Sequence, residues 1–282
     1  MLDTEEKKLR LAFDAIANDY DRNDFYYKEI RTLLSERLPL INLQPKLILN
    51  LGAATGSSTK ILREFYPMAK VIEVDWSMNM LKQKSATERI AICANTHFLP
   101  LTNNSIDIVF SNLLLPSCKD YEKIFTEIRR ILRNPGLLLF STLGPSTLNE
   151  IRKAWKSVDR HQHVHFFTDM HIIGDSLIKA GFVEPVMSVE NITINYRNIS
   201  LLINDLRSIA GTNRSAKKLI GLTTPRRWEK FISNLGQNLE GKIPISFEII
   251  FGQAWQSPYT NNAYMVDGEA HFPLSDLIKN RG

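Results

Sequence analysis

The stretch "LILNLGAATGSS", residues 47–58, most narrows the folds open to this chain: an apolar run enters a turn bracketed by Gly52 and Gly56, and a helix-like segment follows at once. A strand passing so directly into a helix is the βα unit of an open, mostly parallel sheet. The pattern then repeats. Residues 46–51, 70–74, 90–94, 106–111 and 137–142 read as strands, and 58–65, 78–84 and 121–132 as intervening helices, with Ser77 as a cap. This alternation predicts an α/β fold with a doubly wound, mostly parallel sheet.

The flanks carry other signals. Leu9, Phe13, Ile16 and Tyr20 recur at helical spacing, and a second helix is expected over 27–37, stopped by Pro39. Downstream, helices are expected at 148–157, 169–180, 199–209 and 226–235, with Gly181 ending the second of these, and extended segments at 186–196 and 246–255. The last segments are expected to pair with the sheet edge and form a cap. The predicted organisation is an N-terminal helical lid over 1–45, a main domain over 46–256 with a cap insertion near 197–242, and a loosely ordered tail over 257–282.

A chain of 282 residues with 44% hydrophobic content is long enough to bury one substantial core. Its apolar runs are far shorter than the roughly 20 residues of a membrane helix, so no span is expected. The opening "MLDTEEKKLR" fits neither a secretory signal nor a transit peptide, which predicts cytoplasmic residence. Cys93 and Cys118 lack CxxC spacing and read as buried or loop thiols. The net charge of +5 is uneven: residues 197–242 hold nine basic and three acidic side chains, a net of +6. Such a face either steers an acidic partner or is simply solvated surface.

In doubly wound sheets, ligands bind beyond the carboxyl ends of the strands. Gly52 permits a sharp bend and close approach there, Gly56 permits close helix packing, and Thr55 offers hydrogen bonds; a turn serving packing alone would show the same residues. Asp75, ending "VIEVD" about 20 residues later, stands where an acid receives ribose hydroxyls, or caps the following helix. Trp76 and Met80 would form an adenine wall or belong to the core. No GxxxxGK[ST] phosphate cradle is present. His161, His163 and His165 alternate in one loop without an evident companion ligand, so no metal site is predicted.

Four segments in order, "LNLGAATG", "EVDWSMNML", "ANTHFLPLTNNSIDIVFSNLLL" and "EIRRILRNPGLLLFSTLG", resemble the motifs of class I S-adenosylmethionine-dependent methyltransferases, with their Rossmann-like sheet. Beyond them, "TLNEIRKAW", "DRHQHVHFFTDMHIIGDSLIKAGF", "LINDLRSIAGTN", "GLTTPRR" and "IPISFEIIFGQAW", with "AFDAIANDYD" upstream, resemble the malonyl-acyl-carrier-protein O-methyltransferases of biotin synthesis. These segments are partly shared with a mitochondrial complex I assembly methyltransferase.

The resemblance implies S-adenosylmethionine as cofactor. Gly52, Ala53 and Gly56 would line its methionine moiety, Asp75 would take the ribose diol, Trp76 would flank the adenine, Asn95 would face the adenine amino group, and Thr96 would present its backbone N–H. Asn112 and Leu113 would border the sulfonium. Tyr20 would close a lid, or serve as an amphipathic anchor. Two departures stand in the turn: Asn50 replaces the usual acid, and Ala54 replaces a glycine, which the loop tolerates if φ is negative there.

The implied reaction is methylation of the free carboxylate of malonyl-acyl carrier protein, which needs no general base because a carboxylate is ionised at neutral pH. Arg152 is the candidate orienting cation, with a surface helix arginine as the competing account. His163 and Phe166 would line the substrate, or simply pack. Lys217, Lys218, Arg226 and Arg227 would guide the acidic carrier protein; neither nucleic acid nor membrane is expected as a partner. Three alternatives remain at this level. A protein-arginine methyltransferase would need paired acids that the sequence does not display. An RNA methyltransferase would show aromatic and Gly-rich signatures. A noncatalytic binding protein is motivated by Asn50 and Ala54.

Overall fold

Successive side chains of a strand face opposite sides of the sheet, and in this chain both sides are apolar. In β1 (Leu47–Leu51), Ile48 joins one core while Leu49 and Leu51 join another. A strand apolar on both faces must be covered on both, which is the situation of a buried parallel strand. The computed structural model describes residues 4–83, 89–208, 211, 221–256, 264–266 and 269–271.

The chain opens with three helices, α1 (Thr4–Ile16), α2 (Tyr20–Asn23) and α3 (Phe25–Ser35). After β1 come α4 (Ser57–Phe65), β2 (Lys70–Asp75), α5 (Met78–Leu81), β3 (Ile90–Cys93), β4 (Ile106–Asn112), α6 (Tyr121–Ile131) and β5 (Leu132–Leu143). Then follow α7 (Asn149–Lys156), α8 (Met170–Lys179), β6 (Val183–Tyr196), α9 (Ile199–Ser208), α10 (Pro225–Asn234) and β7 (Ile243–Gln256). A small antiparallel pair, β8 (Tyr264–Val266) and β9 (Glu269–His271), lies apart from the main sheet.

The seven-stranded sheet has the order β3-β2-β1-β4-β5-β7-β6. Strands β1 to β5 pair in parallel, and β7 runs antiparallel to both β5 and β6. On one face, α3, α4, α7 and α10 contribute Ile30, Leu62, Trp155 and Phe231 to a core with Ile48, Ile108 and Leu139. On the other, α6 and α8 contribute Phe125, Ile128, Ile173 and Leu177 against Leu49, Val109 and Phe140. The order reverses at β1 and β4, so the turns after β1, β2 and β4 converge at the carboxyl edge. Pairing of β5 with β7 stops at Leu143 with Ile249, while β6 and β7 continue together to Tyr196 with Ile243, so this antiparallel pair overhangs that edge.

The predicted alternation of strands and helices is present, with shifted boundaries. The single helix expected through Tyr20 is broken after Ile16, where Asn18 and Asp19 intervene; such side chains favour turns and caps over helix interiors. The next helix begins at Phe25 rather than residue 27, and Pro39 sits inside a short 3-10 turn, Leu38–Leu40. Helix α5 is shorter than expected, and residue 84 lies outside the described residues, as does the rest of the tail apart from β8 and β9. Strand β6 starts earlier than expected, and Pro185 falls where its register shifts between Val183 and Val186. A proline on an edge strand is tolerated at such an irregularity. Among the described residues no helix is long and apolar enough to cross a membrane.

Gly252 of β7 faces Phe140 so closely that a Cβ there would lie 2.3 Å from Phe140 Cζ and 2.8 Å from Met187 Sδ. Gly252→Ala is therefore expected to lower the unfolding free energy by about 1–3 kcal/mol through overpacking. Urea denaturation checks this, and an unchanged midpoint would mean that the aromatic core yields freely at this point.

Candidate active site

The turn after β1 has an unusual backbone. Gly52 (φ +73) and Gly56 (φ +86) are left-handed, and so is Ala54 (φ +48). The condition under which the sequence tolerates an alanine at residue 54, a negative φ, is therefore not met. A left-handed L residue costs about 1–2 kcal/mol. The backbone N–H of Ala54 finds a strong acceptor there, donating to Asp75 Oδ2 at 2.9 Å. A Cβ on Gly52 would lie 3.1 Å from the Leu114 side chain and would sit on a left-handed backbone, so both space and conformation favour glycine at that position. On Gly56 a Cβ would meet Glu73 Oε1 at 2.6 Å, which makes room for the buried ion pair of Glu73 with Arg89.

Asp75 ends β2, nearly buried, and its Oδ1 accepts from Ser77 N at 2.8 Å. Burial pushes its carboxyl above the usual value, against the N–H groups of Ser77, Ala54 and Trp76, while the Asp14 carboxylate pushes it up further. Asn50 is buried and donates to Thr59 Oγ1 on α4 at 3.1 Å. The N-terminal helices clasp the same turns: Ser77 Oγ donates to Asp14 Oδ1 at 2.5 Å, and Thr55 Oγ1 to Asp21 Oδ1 at 2.5 Å. Tyr20 packs with Ala17 and Met80 and lies 5.6 Å from the ring of Tyr27. Burial raises its hydroxyl well above the usual value.

Gly52, Asp75, Trp76, Asn95 and Thr96 line one narrow slot, together with Glu6, His97, Leu114, Ser117 and Cys118. Asn95 Oδ1 accepts from His97 N at 2.9 Å. Ala53 and Gly56 are not on the slot's wall. The slot measures about 20 Å³, roughly the room one water needs, so a nucleoside enters only as the slot widens. Its chemistry fits S-adenosylmethionine nonetheless: a carboxylate at the strand end, bare backbone at Gly52, and an indole wall at Trp76.

A second, larger cavity of about 310 Å³ adjoins the slot through Glu6, Ser117 and Cys118. Its walls include Tyr26, Leu113, Ile151, His163, Phe166 and Phe247. Cys118 is half-buried, and desolvation pushes its thiol up to about 12. Asn112 sits just behind Leu113, accepting from Ser141 Oγ at 2.8 Å and donating to Tyr27 O at 3.1 Å. Leu113 N donates to Ser141 Oγ at 3.0 Å.

Arg152 is not among the cavity residues. Its guanidinium donates to the carbonyls of Pro145 (3.1 Å), Thr147 (3.3 Å) and His165 (3.3 Å), and its Nε is buried with no partner among the described residues. Burial lowers its pKa. His163 meets a carboxylate overlooked in the sequence, Asp159, at 2.9 Å. Arg226 and Arg227 lie in the first turn of α10, and Arg227 is 3.9 Å from Asp159 Oδ2; Lys217 and Lys218 lie outside the described residues. Among the described residues no group of three or more His, Cys, Asp or Glu is placed to hold a metal ion. Glu6, Ser117 and Tyr26 escaped sequence reasoning, because only chain crossings distant in sequence bring them to the cavities.

Sheet order, convergent turns and an acid at the end of β2 define a class I S-adenosylmethionine-dependent methyltransferase. A profile described as "Methyltransferase domain" matches residues 49–140. Two solved structures share the fold. The YcgJ protein of Bacillus subtilis has a TM-score of 0.58 at 15% identity, covering 79% of this chain and 97% of that one. An S-adenosylmethionine-dependent methyltransferase of Thermotoga maritima has a TM-score of 0.53 at 15% identity, covering 88% of this chain and 100% of that one. The malonyl-[acyl-carrier protein] O-methyltransferase of Gallionella capsiferriformans (strain ES-2) is 37% identical, covering 98% of both chains. Its counterpart from Methylovorus sp. (strain MP688) is 36% identical, covering 89% of both. The chain belongs to the malonyl-[acyl-carrier protein] O-methyltransferase family.

Asp75 accepts ribose hydroxyls most strongly while ionised, and its raised pKa brings protonation within reach at a higher pH than for an ordinary aspartate, near ~3.9. Affinity for S-adenosylhomocysteine is expected to fall on acidification before that ordinary range is reached. Asp75→Asn should remove this step and weaken binding about tenfold or more at neutral pH. Calorimetric titration across pH checks both outcomes; an affinity that stays flat down to the ordinary range would assign the ribose to another group.

Proposed function

We propose that this chain methylates the free carboxylate of malonyl-acyl carrier protein. The observation that carries the reading is the adjacency of two compartments: the slot ending at Gly52 and Asp75 shares Glu6, Ser117 and Cys118 with a mainly apolar cavity beside it. Family membership over nearly the whole length supports the same substrate.

Gly52, Asp75, Trp76, Asn95 and Thr96 would hold S-adenosylmethionine, with Ala53 and Gly56 shaping the turn and Asn112 and Leu113 closing its inner end. Bound there, the cofactor supplies an electrophilic methyl group on a sulfonium. The chain itself has little proton chemistry to perform, since the malonyl carboxylate is ionised already. Its work is alignment and exclusion of water, for which Leu113, Ile151 and Phe247 provide the wall. Helices α1 and α2 act as a lid whose closure is held by Asp14 on Ser77 and Asp21 on Thr55 and by the packing of Tyr20 on Met80, while α3, expected within the lid, belongs to the core of the sheet. Arg152 serves by tying the segment at His165 to the turn at Thr147.

The basic stretch containing Arg226 would receive the acidic carrier, with Lys217 and Lys218 beside it in sequence. Methylation masks the carboxylate, and the ester then enters chain elongation toward the pimeloyl part of biotin, as the family resemblance implies. The reaction belongs in the cytoplasm.

Incubation with S-adenosylmethionine and malonyl-acyl carrier protein, read by intact mass, should add one methyl group, with none added to the acetyl form. Methyl transfer to a protein arginine instead would overturn the reading. Arg226→Glu should raise KM for the carrier substrate severalfold at low salt, with the difference shrinking as salt is added and S-adenosylhomocysteine affinity unchanged. A KM equal to that of the parent protein would remove α10 from the docking face.

A further inference from the structure

His163 is held in a manner that loop formation does not require. Its ring lies flat on Trp155, with centroids 3.8 Å apart and planes 5° from parallel, and Trp155 stacks in turn on Phe231 at 4.4 Å. Its Nε2 is 2.9 Å from Asp159 Oδ1, and a carboxylate only accepts, so Nε2 carries the proton. Asp159 Oδ1 also accepts from His161 N at 2.9 Å.

The Asp159 side chain is only 4% exposed, and its Oδ2 has no hydrogen-bond partner among the described residues. Burying such a group costs free energy unless it serves an interaction. Burial works to raise its pKa, but the hydrogen bond from His163, the N–H of His161 and the charges of His163 and Arg227 bring it below the ordinary value. Asp159 is thus an ionised carboxylate bound to the histidine that stacks on Trp155, and of the two residues it is His163 that lines the substrate cavity.

We infer that Asp159 is a positioning residue, fixing the His163 imidazole so that its Nδ1 meets the malonyl carboxylate. The inference rests on the carrier-substrate reading above. Nδ1 has no partner among the described residues, and it donates to a carboxylate when the ring holds two protons. A carboxylate on the far nitrogen is the partner that allows an imidazole to do so, and it also fixes the ring's direction. Arg152, whose Nη1 and Nη2 donate to three backbone carbonyls, is less available for that contact.

The contact exists before the methyl moves and fades as the carboxylate loses its charge, so its loss should appear in KM rather than kcat. Asp159→Ala and His163→Asn are each expected to raise KM for malonyl-acyl carrier protein about tenfold with kcat little changed. Asp159→Asn, which still accepts at its amide oxygen, should recover part of the loss. The double variant Asp159→Ala/His163→Asn should be no worse than either single one, the signature of one residue acting through another. Inhibition by acetyl-acyl carrier protein, which lacks the carboxylate, should be unaffected in all four.

Thermal unfolding and S-adenosylhomocysteine titration accompany each variant. An unchanged KM in Asp159→Ala, effects that multiply in the double variant, or equal losses for the malonyl and acetyl forms would overturn the inference. So would a collapse of cofactor affinity and melting temperature together, which would mark Asp159 as purely structural. Failure of the parent protein to methylate malonyl-acyl carrier protein would instead sink the functional reading.

Discussion

The Asp75 carboxylate accepts from two turns at once, Ala54 N after β1 and Ser77 N after β2. Gly52 N and Ala53 N already tie the first turn to Val74 O of β2, and the shared acceptor adds a side-chain link that joins the two turns into one rim. The low-dielectric surroundings that raise the carboxyl's pKa also strengthen both hydrogen bonds. The left-handed Ala54 fits this picture: its backbone strain is offset by an N–H aimed at a buried charge.

The N-terminal helices extend this arrangement by attaching to residues beside the shared acceptor. Asp14 binds Ser77, whose own N–H serves Asp75, and Asp21 binds Thr55, next to Ala54. Three carboxylates therefore gather around two short turns. A cationic cofactor relieves their mutual repulsion, so occupancy of the slot and seating of α1 and α2 are expected to favour each other.

The central strands were legible because their periodicity is strong and local, and so was the acid at the end of β2, because βα geometry fixes its place relative to Gly52. Side-chain direction was not legible. The sequence marks Arg152 as a cation near the site, but only the fold shows its guanidinium satisfied by the carbonyls of Pro145, Thr147 and His165. The spacing of Asp159 and His163 was visible all along, yet in a loop it carries no periodic meaning until Trp155 provides the plane on which the ring lies. Glu6, Tyr26 and Phe247 meet at one cavity from opposite ends of the chain, and no local pattern encodes that meeting.

The reversed direction of β7 shapes the chamber behind the sheet. Its first residues, paired only with β6, rise past the end of β5 and carry Phe247 to within 4.6 Å of Tyr26. Had this strand run parallel to β5, its carboxyl end would have finished level with its neighbours and left that flank to solvent. One change of heading gives the enzyme a parapet, so a reactive donor and a charged acyl tip can meet with few competing water molecules nearby.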